Sequence, residues 1–239
     1  MNPDATAAVL IIGNEILSGK TQDANLNFLA LAFARLGIKL AEARVIRDEP
    51  EVIAKVINEL RARYTYVFTT GGIGPTHDDL TAESVAQAFG RKLVVNEEAR
   101  RRIAHGGREL NAARLKMAMV PEGASLIDNT VSHAPGFRIG NVFVLAGIPS
   151  IARAMFSACE HELEGGKPIL SESIDLYQRE GDFAAALEAI AKRYPEVDIG
   201  SYPFARDGRL GASLVVRGTD GNRVAAAMAE IRTTLAPGA

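Results

Sequence analysis

The sequence predicts a doubly wound, mostly parallel α/β sheet followed by a small α+β unit. Three observations carry this reading. Short, continuously apolar segments alternate with amphipathic helical stretches, the habit of strands buried on both faces and covered by helices. Three of those apolar segments exit at or beside a glycine. Beyond Gly166 the pattern changes to alternating strands and two helices.

The elements follow in order. Ala7-Ala8-Val9-Leu10-Ile11-Ile12 is a short β-rich run ending at Gly13. A polar loop, 14–23, leads to a helix marked by Leu26, Leu29, Phe33 and Leu36, and Gly37 stops it as a C′ glycine does. Ala43–Ile46 reads as the second strand. Asp48-x-x-Glu51 has the form of a capping box with Pro50 in the first turn, ahead of a stripe of Val52, Ile53, Val56, Ile57 and Leu60. Tyr66–Thr70 is a third strand and runs directly into Gly71-Gly72-Ile73-Gly74-Pro75-Thr76-His77-Asp78-Asp79. Thr81-x-x-Ser84 opens a helix that Gly90 ends. Residues 96–125 resist a periodic reading, apart from a helix carrying Arg100, Arg101 and Arg102, whose three directions mark a solvated face. Short strands and turns occupy 125–139. Val142–Leu145 is a strand leading into Ala146-Gly147-Ile148-Pro149-Ser150 and a further helix. Past the break at Gly165-Gly166-Lys167-Pro168, the order is strand, helix, strand, strand, helix. The domains are therefore placed at 1–166 and 167–239.

The chain has 239 residues, 47% hydrophobic and 23% charged, which excludes a disordered or disulfide-stapled class. Its net charge of −2 gives no footprint for nucleic-acid binding, so any anionic ligand must be held by local devices. The single cysteine, Cys159, reads as a buried or half-buried structural thiol. No signal peptide and no membrane-spanning run is visible, so a cytoplasmic location is expected.

The glycine loop is the strongest chemical signal. Gly71, Gly72 and Gly74 let the backbone approach a ligand closely, and the helix that follows adds the partial positive charge of its N-terminus, the parts of a phosphate cradle. Thr70 and Thr76 can add hydroxyl hydrogen bonds. The loop is neither a Walker A loop nor a Rossmann fingerprint, and a purely structural turn is the competing reading. Asp78 and Asp79 would repel a phosphate unless a divalent cation, Mg²⁺ by its coordination habits, lay between them. Alternatively they cap the helix, and one of the two is expected to do so. Gly13, Asn14 and Glu15 at the first strand exit are further candidates, set against a simple turn, and Gly147, Pro149 and Ser150 at the last open a helix and form another anion site by the same dipole argument. His77 can shuttle protons or be a plain loop residue. His105, His133 and His161 show no metal-ligand spacing, and a zinc site is not expected.

Two ordered motifs, Gly13-Asn14-Glu15-Ile16-Leu17-Ser18-Gly19-Lys20-Thr21-x-Asp23-x-Asn25 and Gly71–Asp79-x-Thr81, resemble the MoaB/Mog-type molybdopterin-binding domain. Within it they are most similar to the CinA-like (competence/damage-inducible) branch and to the corresponding domain of FAD synthases. Lys116-Met117-Ala118-x-x-Pro121-x-Gly123-Ala124 and Ala134-Pro135-Gly136 extend the resemblance over about residues 7–165. Arg193-Tyr194-Pro195 and Gly200-Ser201-Tyr202-Pro203 resemble the small domain that follows it in this branch. One departure is Ala146-Gly147-Ile148-Pro149, where the branch usually reads Pro-Gly-Val-Pro. The branch's amidohydrolase and FAD-synthesising domains are expected to be absent from this chain.

The resemblance implies the MoaB/Mog-like three-layer fold, a phosphorylated nucleotide or pterin ligand, and a homo-oligomer, dimer or trimer. It implies an enzyme, a divalent-metal-dependent pyrophosphatase of dinucleotides such as ADP-ribose or FAD. Asp78 and Asp79 would be its catalytic and metal-binding residues. Gly13, Asn14, Glu15, Thr70, Gly71, Gly72, Gly74, Pro75, Thr76, Gly147, Pro149 and Ser150 would bind phosphate and nucleotide. A molybdopterin-binding or molybdopterin-adenylylating protein is the first alternative, and a non-enzymatic nucleotide-binding module the second.

Overall fold

The computed structural model describes residues 2, 4–104, 109–206 and 208–236. The chain divides into two compact units, Met1–Gly166 and Lys167–Ala239.

The first unit is built on a six-stranded sheet. Its elements run β1 (Thr6–Ile12), α1 (Asn14–Leu17), α2 (Asn25–Arg35), β2 (Lys39–Ile46), α3 (Pro50–Arg63), β3 (Tyr66–Thr70) and α4 (Thr81–Ala88). Then follow β4 (Leu93–Val95), α5 (Glu97–Ile103), α6 (Ala112–Lys116), β5 (Met119–Pro121), β6 (Ser125–Ile127), β7 (Gly136–Ile139), β8 (Val142–Leu145) and α7 (Pro149–Cys159). The sheet order is β2-β1-β3-β8-β7-β6. The four strands β2, β1, β3 and β8 are parallel, and β7 and β6 continue the sheet antiparallel. The expected doubly wound sheet is present. The chain leaves β1 for β2 on one side and then crosses to β3 on the other, so the order reverses beside β1, where open α/β sheets bind ligands.

Continuous apolarity in β1, β3 and β8 reports burial on both faces, and all three are almost wholly buried. Ala7, Val9 and Ile11 pack against Leu29 and Phe33 of α2 and Met155 and Phe156 of α7. Ala8, Leu10 and Ile12 pack on the other face with Ile53, Ile57 and Leu60 of α3 and Val85 of α4. Phe68 lies at the centre of the first layer. Its ring stacks on Phe143 at 4.6 Å and meets Phe33 at 5.1 Å and Phe156 at 5.7 Å. Cys159 is buried in the same cluster, as expected of a lone structural thiol, and burial pushes its pKa up to about 12.

Segment 96–125 owes its illegibility to short pieces. β4 and β5 have three residues each and pair antiparallel, while α6 has five. They close over a separate small cluster of Ala99, Ile103 and Ala118. Arg100, Arg101 and Arg102 fan outward from α5 into ion pairs with Glu97, Glu98 and Asp128, the solvated face expected of them. One local expectation is corrected. Asp48 does not cap α3: Glu49 occupies the N-cap without a side-chain hydrogen bond and Pro50 takes the first turn. The Asp48 carboxylate turns instead toward the first strand exit.

The second unit contains β9 (Leu170–Leu176), α8 (Glu180–Arg193), β10 (Asp198–Arg206), β11 (Arg209–Gly218) and α9 (Gly221–Leu235). Its antiparallel sheet has the order β10-β11-β9. Leu176, Leu214 and Val216 on the strands pack with Phe183, Ile190, Met228 and Ile231 on the helices. Asp220 caps α9 by accepting from the N–H groups of Asn222 and Arg223.

Phe68→Ala tests the packing account of the first unit. Removing the central ring should destabilise it by about 3–5 kcal/mol. A chemical-denaturation shift below about 1 kcal/mol would contradict the packing account.

Candidate functional site

The exits of β1, β3 and β8 form the floor of the site. Gly71, the first residue beyond β3, is their point of closest approach. Its φ is +102°, its N–H donates to the Leu145 carbonyl at 3.2 Å, and a Cβ placed there would lie 2.1 Å from the Ile12 carbonyl oxygen. No side chain fits. Gly147, at the β8 exit, packs on Gly71: a Cβ there would be 3.3 Å from the Gly71 α-carbon. The Asn25 amide of α2 fixes Gly147 by donating to its carbonyl at 2.8 Å. Gly13 donates its N–H to the Ile46 carbonyl of β2. The structure thus brings Gly13, Thr70, Gly71, Gly72 and Gly147 together at one edge of the sheet. Thr70 is buried there with no partner for its hydroxyl. Pro149 and Ser150 begin α7 and are exposed beyond Gly147.

The helix after the loop is tied down rather than open. The Thr81 N–H donates to the Gly72 carbonyl and its hydroxyl to the Gly71 carbonyl, both at 2.9 Å. The first amide of α4 is therefore spent on the loop itself. Gly72, with φ +68°, leaves no room for a Cβ beside the Thr81 hydroxyl.

Asp78 and Asp79 have different surroundings. Asp79 folds back on the loop: its Oδ2 accepts from the Thr76 N–H at 2.8 Å and from the Thr76 hydroxyl, and it lies where a Cβ on Gly74 would stand. This closes the turn through Pro75 and Thr76. Neither aspartate caps α4, whose N-cap position is Leu80 without a side-chain bond, so the expected helix cap is replaced by a turn cap. Asp78 is exposed beside His77. The nearby Thr76 hydroxyl, then the amide of Asp78 itself, hold its carboxyl below the usual carboxylate range, with His77 and Lys116 adding to the effect.

Asp48 is the residue that sequence reasoning assigned elsewhere. Its Oδ2 accepts the Asn14 N–H at 2.8 Å. Burial raises its carboxyl above the ordinary value, and the negative charges of Glu15 and Asp78 act in the same direction against the Asn14 hydrogen bond. The Glu15 carboxylate lies back over Gly13, 2.5 Å from where a Cβ would be. The charges of Glu15 and Asp78 thus act on Asp48, and the three carboxylates make this side of the loop acidic. The signal that could have found Asp48 is its place just beyond the end of β2, a strand exit equivalent to the other three.

On the other side of the loop is a cavity of about 300 Å³. Gly72, Gly74 and Asp79 form its loop wall, and Ile73, Leu93, Met117, Met119, Pro135 and Phe137 make the remainder largely apolar, with Glu83 and Lys116 as its other charged residues. Lys116 donates from Nζ to the Thr76 carbonyl, 40 residues away. Gly13, Asn14, Glu15, Thr70, Gly147, Pro149 and Ser150 do not line this cavity. Lys116 and its neighbours carried a motif but no assigned role in the sequence, because they sit in the segment without periodicity.

Among the described residues no three His, Cys, Asp or Glu side chains already converge as a metal site. His105 lies outside the described residues. Glu15, Asp48 and Asp78 offer carboxylate oxygens, the donor type that Mg²⁺ takes one or two at a time alongside ligand oxygens and water. Among the described residues no helix is long and apolar enough to cross a membrane.

Residues 8–164 match a family described as a "probable molybdopterin binding domain". The chain belongs to that molybdopterin-binding family. Residues 168–239 match the middle domain of FAD synthase. A protein of Archaeoglobus fulgidus is 34% identical over 82% of this chain and 84% of its own length. A "probable FAD synthase" of Caenorhabditis briggsae is 31% identical over 83% of this chain, which spans 43% of that longer protein. The crystal structure of a protein CinA of unknown function from Thermoplasma acidophilum superposes with a TM-score of 0.63 at 32% identity, covering 67% of this chain and 99% of that one. The expected kinship with the CinA-like and FAD-synthase proteins thus holds, and so does the fold.

Two outcomes test this geometry. Gly71→Ala forces a Cβ into the Ile12 carbonyl at a left-handed φ and should lower stability by about 1–3 kcal/mol or more. Unchanged unfolding would show that the β1–β3 approach is looser than described. Asp48→Asn removes a carboxylate whose folded-state pKa is raised. Such a group favours the folded state at low pH and loses that contribution as pH rises through the window above 3.8. The variant should therefore match the wild type near the bottom of that window and melt higher above it. A lower melting temperature at neutral pH would refute the assignment.

Proposed function

We propose that this protein is a divalent-metal-dependent hydrolase of dinucleotide pyrophosphates, of the ADP-ribose or FAD type. The observation that carries the reading is the glycine loop at the sheet's switch point, flanked by the interacting carboxylates of Glu15, Asp48 and Asp78. Close glycine backbone is suited to phosphate oxygens, while carboxylates in the same place require a cation if a phosphate is to bind. Kinship with FAD synthases and membership of a molybdopterin-binding family both support a phosphorylated, ring-bearing small molecule. A cytoplasmic location and a dimer or trimer go with this reading.

In it, Gly71, Gly72 and Gly74 present backbone to the pyrophosphate, and Thr76 and Asp79 hold the loop in that shape. Asn14 contacts the second phosphate or the base, and Gly147, Pro149 and Ser150 form the opposite wall. Asp48, with its raised carboxyl, takes the proton of the attacking water. The oxygen of that water bonds to phosphorus, the bridging P–O bond breaks, and two monophosphates leave, one of them AMP. Asp78, with Glu15, would hold Mg²⁺, which would supply charge neutralisation at the phosphate oxygens when bound. The apolar cavity beside Gly72 and Gly74 accommodates a planar ring.

The family's own description favours a second reading, binding or adenylylation of molybdopterin. Both reactions act on an oriented phosphate, so product identification separates them.

The test is a screen of purified protein with Mg²⁺ or Mn²⁺ against ADP-ribose, FAD and related dinucleotides, with products identified by chromatography. AMP release should exceed background by orders of magnitude and fall at least about a hundredfold in Asp48→Asn and Asp78→Asn. ATP-dependent adenylylation of molybdopterin without dinucleotide cleavage would decide for the second reading. No AMP release from any dinucleotide with any metal would end the hydrolase proposal.

A further inference from the structure

We propose that Lys116 is the cation that binds the substrate's phosphate at the glycine loop, and that it selects phosphorylated ligands over their unphosphorylated counterparts. This rests on the nucleotide reading above and extends it to a residue outside the loop.

Glu15, Asp48 and Asp78 lie on one side of the loop, and the cavity wall adds Asp79 and Glu83. Against these carboxylates, Lys116 is the one cationic side chain among the described residues that line the cavity. A phosphate here needs local positive charge to offset these carboxylates. A metal ion held by Asp78 and Glu15 would supply it from one side of the loop, and Lys116 stands on the other.

Geometry places it correctly. Lys116 ends α6 and reaches across to the Thr76 carbonyl, so its ammonium sits at the loop. One carbonyl occupies only part of an ammonium's donor capacity, and the remaining N–H groups have room in the cavity that Lys116 itself lines. No carboxylate among the described residues forms an ion pair with it, whereas the neighbouring arginines of α5 are all committed to such pairs. Its charge is nevertheless felt at the site, since it helps to hold the Asp78 carboxyl low. An ammonium anchored by a neutral acceptor, with donors free beside glycine backbone, is poised for an anion. Met117 and Met119 continue from it into the apolar wall, so a phosphate on Lys116 directs an attached ring into the cavity.

The competing role is mechanical: Lys116 could simply fasten the loop through the Thr76 carbonyl. The two roles predict different ligand dependence. Wild type, Lys116→Met, Lys116→Gln and Lys116→Arg are compared by calorimetric binding of AMP and adenosine with Mg²⁺ present, and by steady-state turnover of ADP-ribose. The Met and Gln variants should bind AMP about ten- to a hundredfold more weakly and raise KM for ADP-ribose similarly, with adenosine binding little changed. Arginine should recover most of the loss. Equal weakening of AMP and adenosine, or wild-type behaviour in the Gln variant, overturns the proposal in favour of a fastener. AMP binding that depends on Lys116 in a protein that cleaves no dinucleotide sinks the hydrolase reading and keeps this one. A wild type that binds neither AMP nor inorganic pyrophosphate removes both.

Discussion

The site depends on how closely β3 approaches β1 where both leave the sheet. Even a methyl group on Gly71 would stand only 2.1 Å from the Ile12 carbonyl oxygen, and Gly147 packs on the Gly71 α-carbon from the β8 side. Three parallel strands thereby end side by side with backbone facing outward and no side chains between. That contact sets the path of the whole loop. The carbonyls of Gly71 and Gly72 are aimed at Thr81, which fastens the start of α4, and the chain between is left to turn through Gly74, Pro75 and Thr76. Phe68, two residues upstream of Thr70, locks the strand into the aromatic layer from below. Site geometry and core packing are consequently parts of one element, β3, and a fault in either displaces the other.

Electrostatics then decides what this backbone can hold. The overall net charge of −2 says little, because the site is more acidic than the molecule. Burial raises the Asp48 carboxyl above its ordinary value, and the nearby charges of Glu15 and Asp78 push it the same way. Asp79 is exempt, because Thr76 satisfies it within the loop. The two adjacent aspartates thus divide into a structural group and an exposed one. A division of this kind allows one loop to keep its shape while still offering a carboxylate to a ligand.

Much of the fold was legible because parallel strands advertise themselves. Six consecutive apolar residues at Ala7–Ile12, and the β-rich run Tyr66–Thr70 leading into two glycines, suit a strand buried on both faces and little else. The strand exits followed from the same pattern, and with them Gly13, Gly71 and Gly147. Asp48 was hidden by ambiguity: Asp-x-x-Glu before an apolar stripe is the form of a capping box, and only the tertiary position of Asn14 shows that its carboxylate is used elsewhere. Lys116 was hidden by length. Three-residue strands and a five-residue helix contain less than two turns of any period, so no periodic test can place them. The structure recovers both residues because it supplies what sequence spacing lacks, the partner at a distance of 34 or 40 positions.

The polar atoms buried without partners follow the same geography. Thr69 and Thr70 close β3 with unpaired hydroxyls, and the Asn25 side chain spends its amide N–H on Gly147 while its Oδ1 stays unpaired. Valine has the same shape as threonine, and at either strand position it would leave no polar atom to desolvate, so the hydroxyls lower stability where the core could have raised it. All three residues lie at or next to the converging strand exits, and the large apolar clusters beneath them carry no such defect among the described residues. Stability is given up at the edge that the glycines hold open, and kept in the layers below it. A sheet that spends its polar cost in one place marks that place as the part of the molecule shaped by something other than folding.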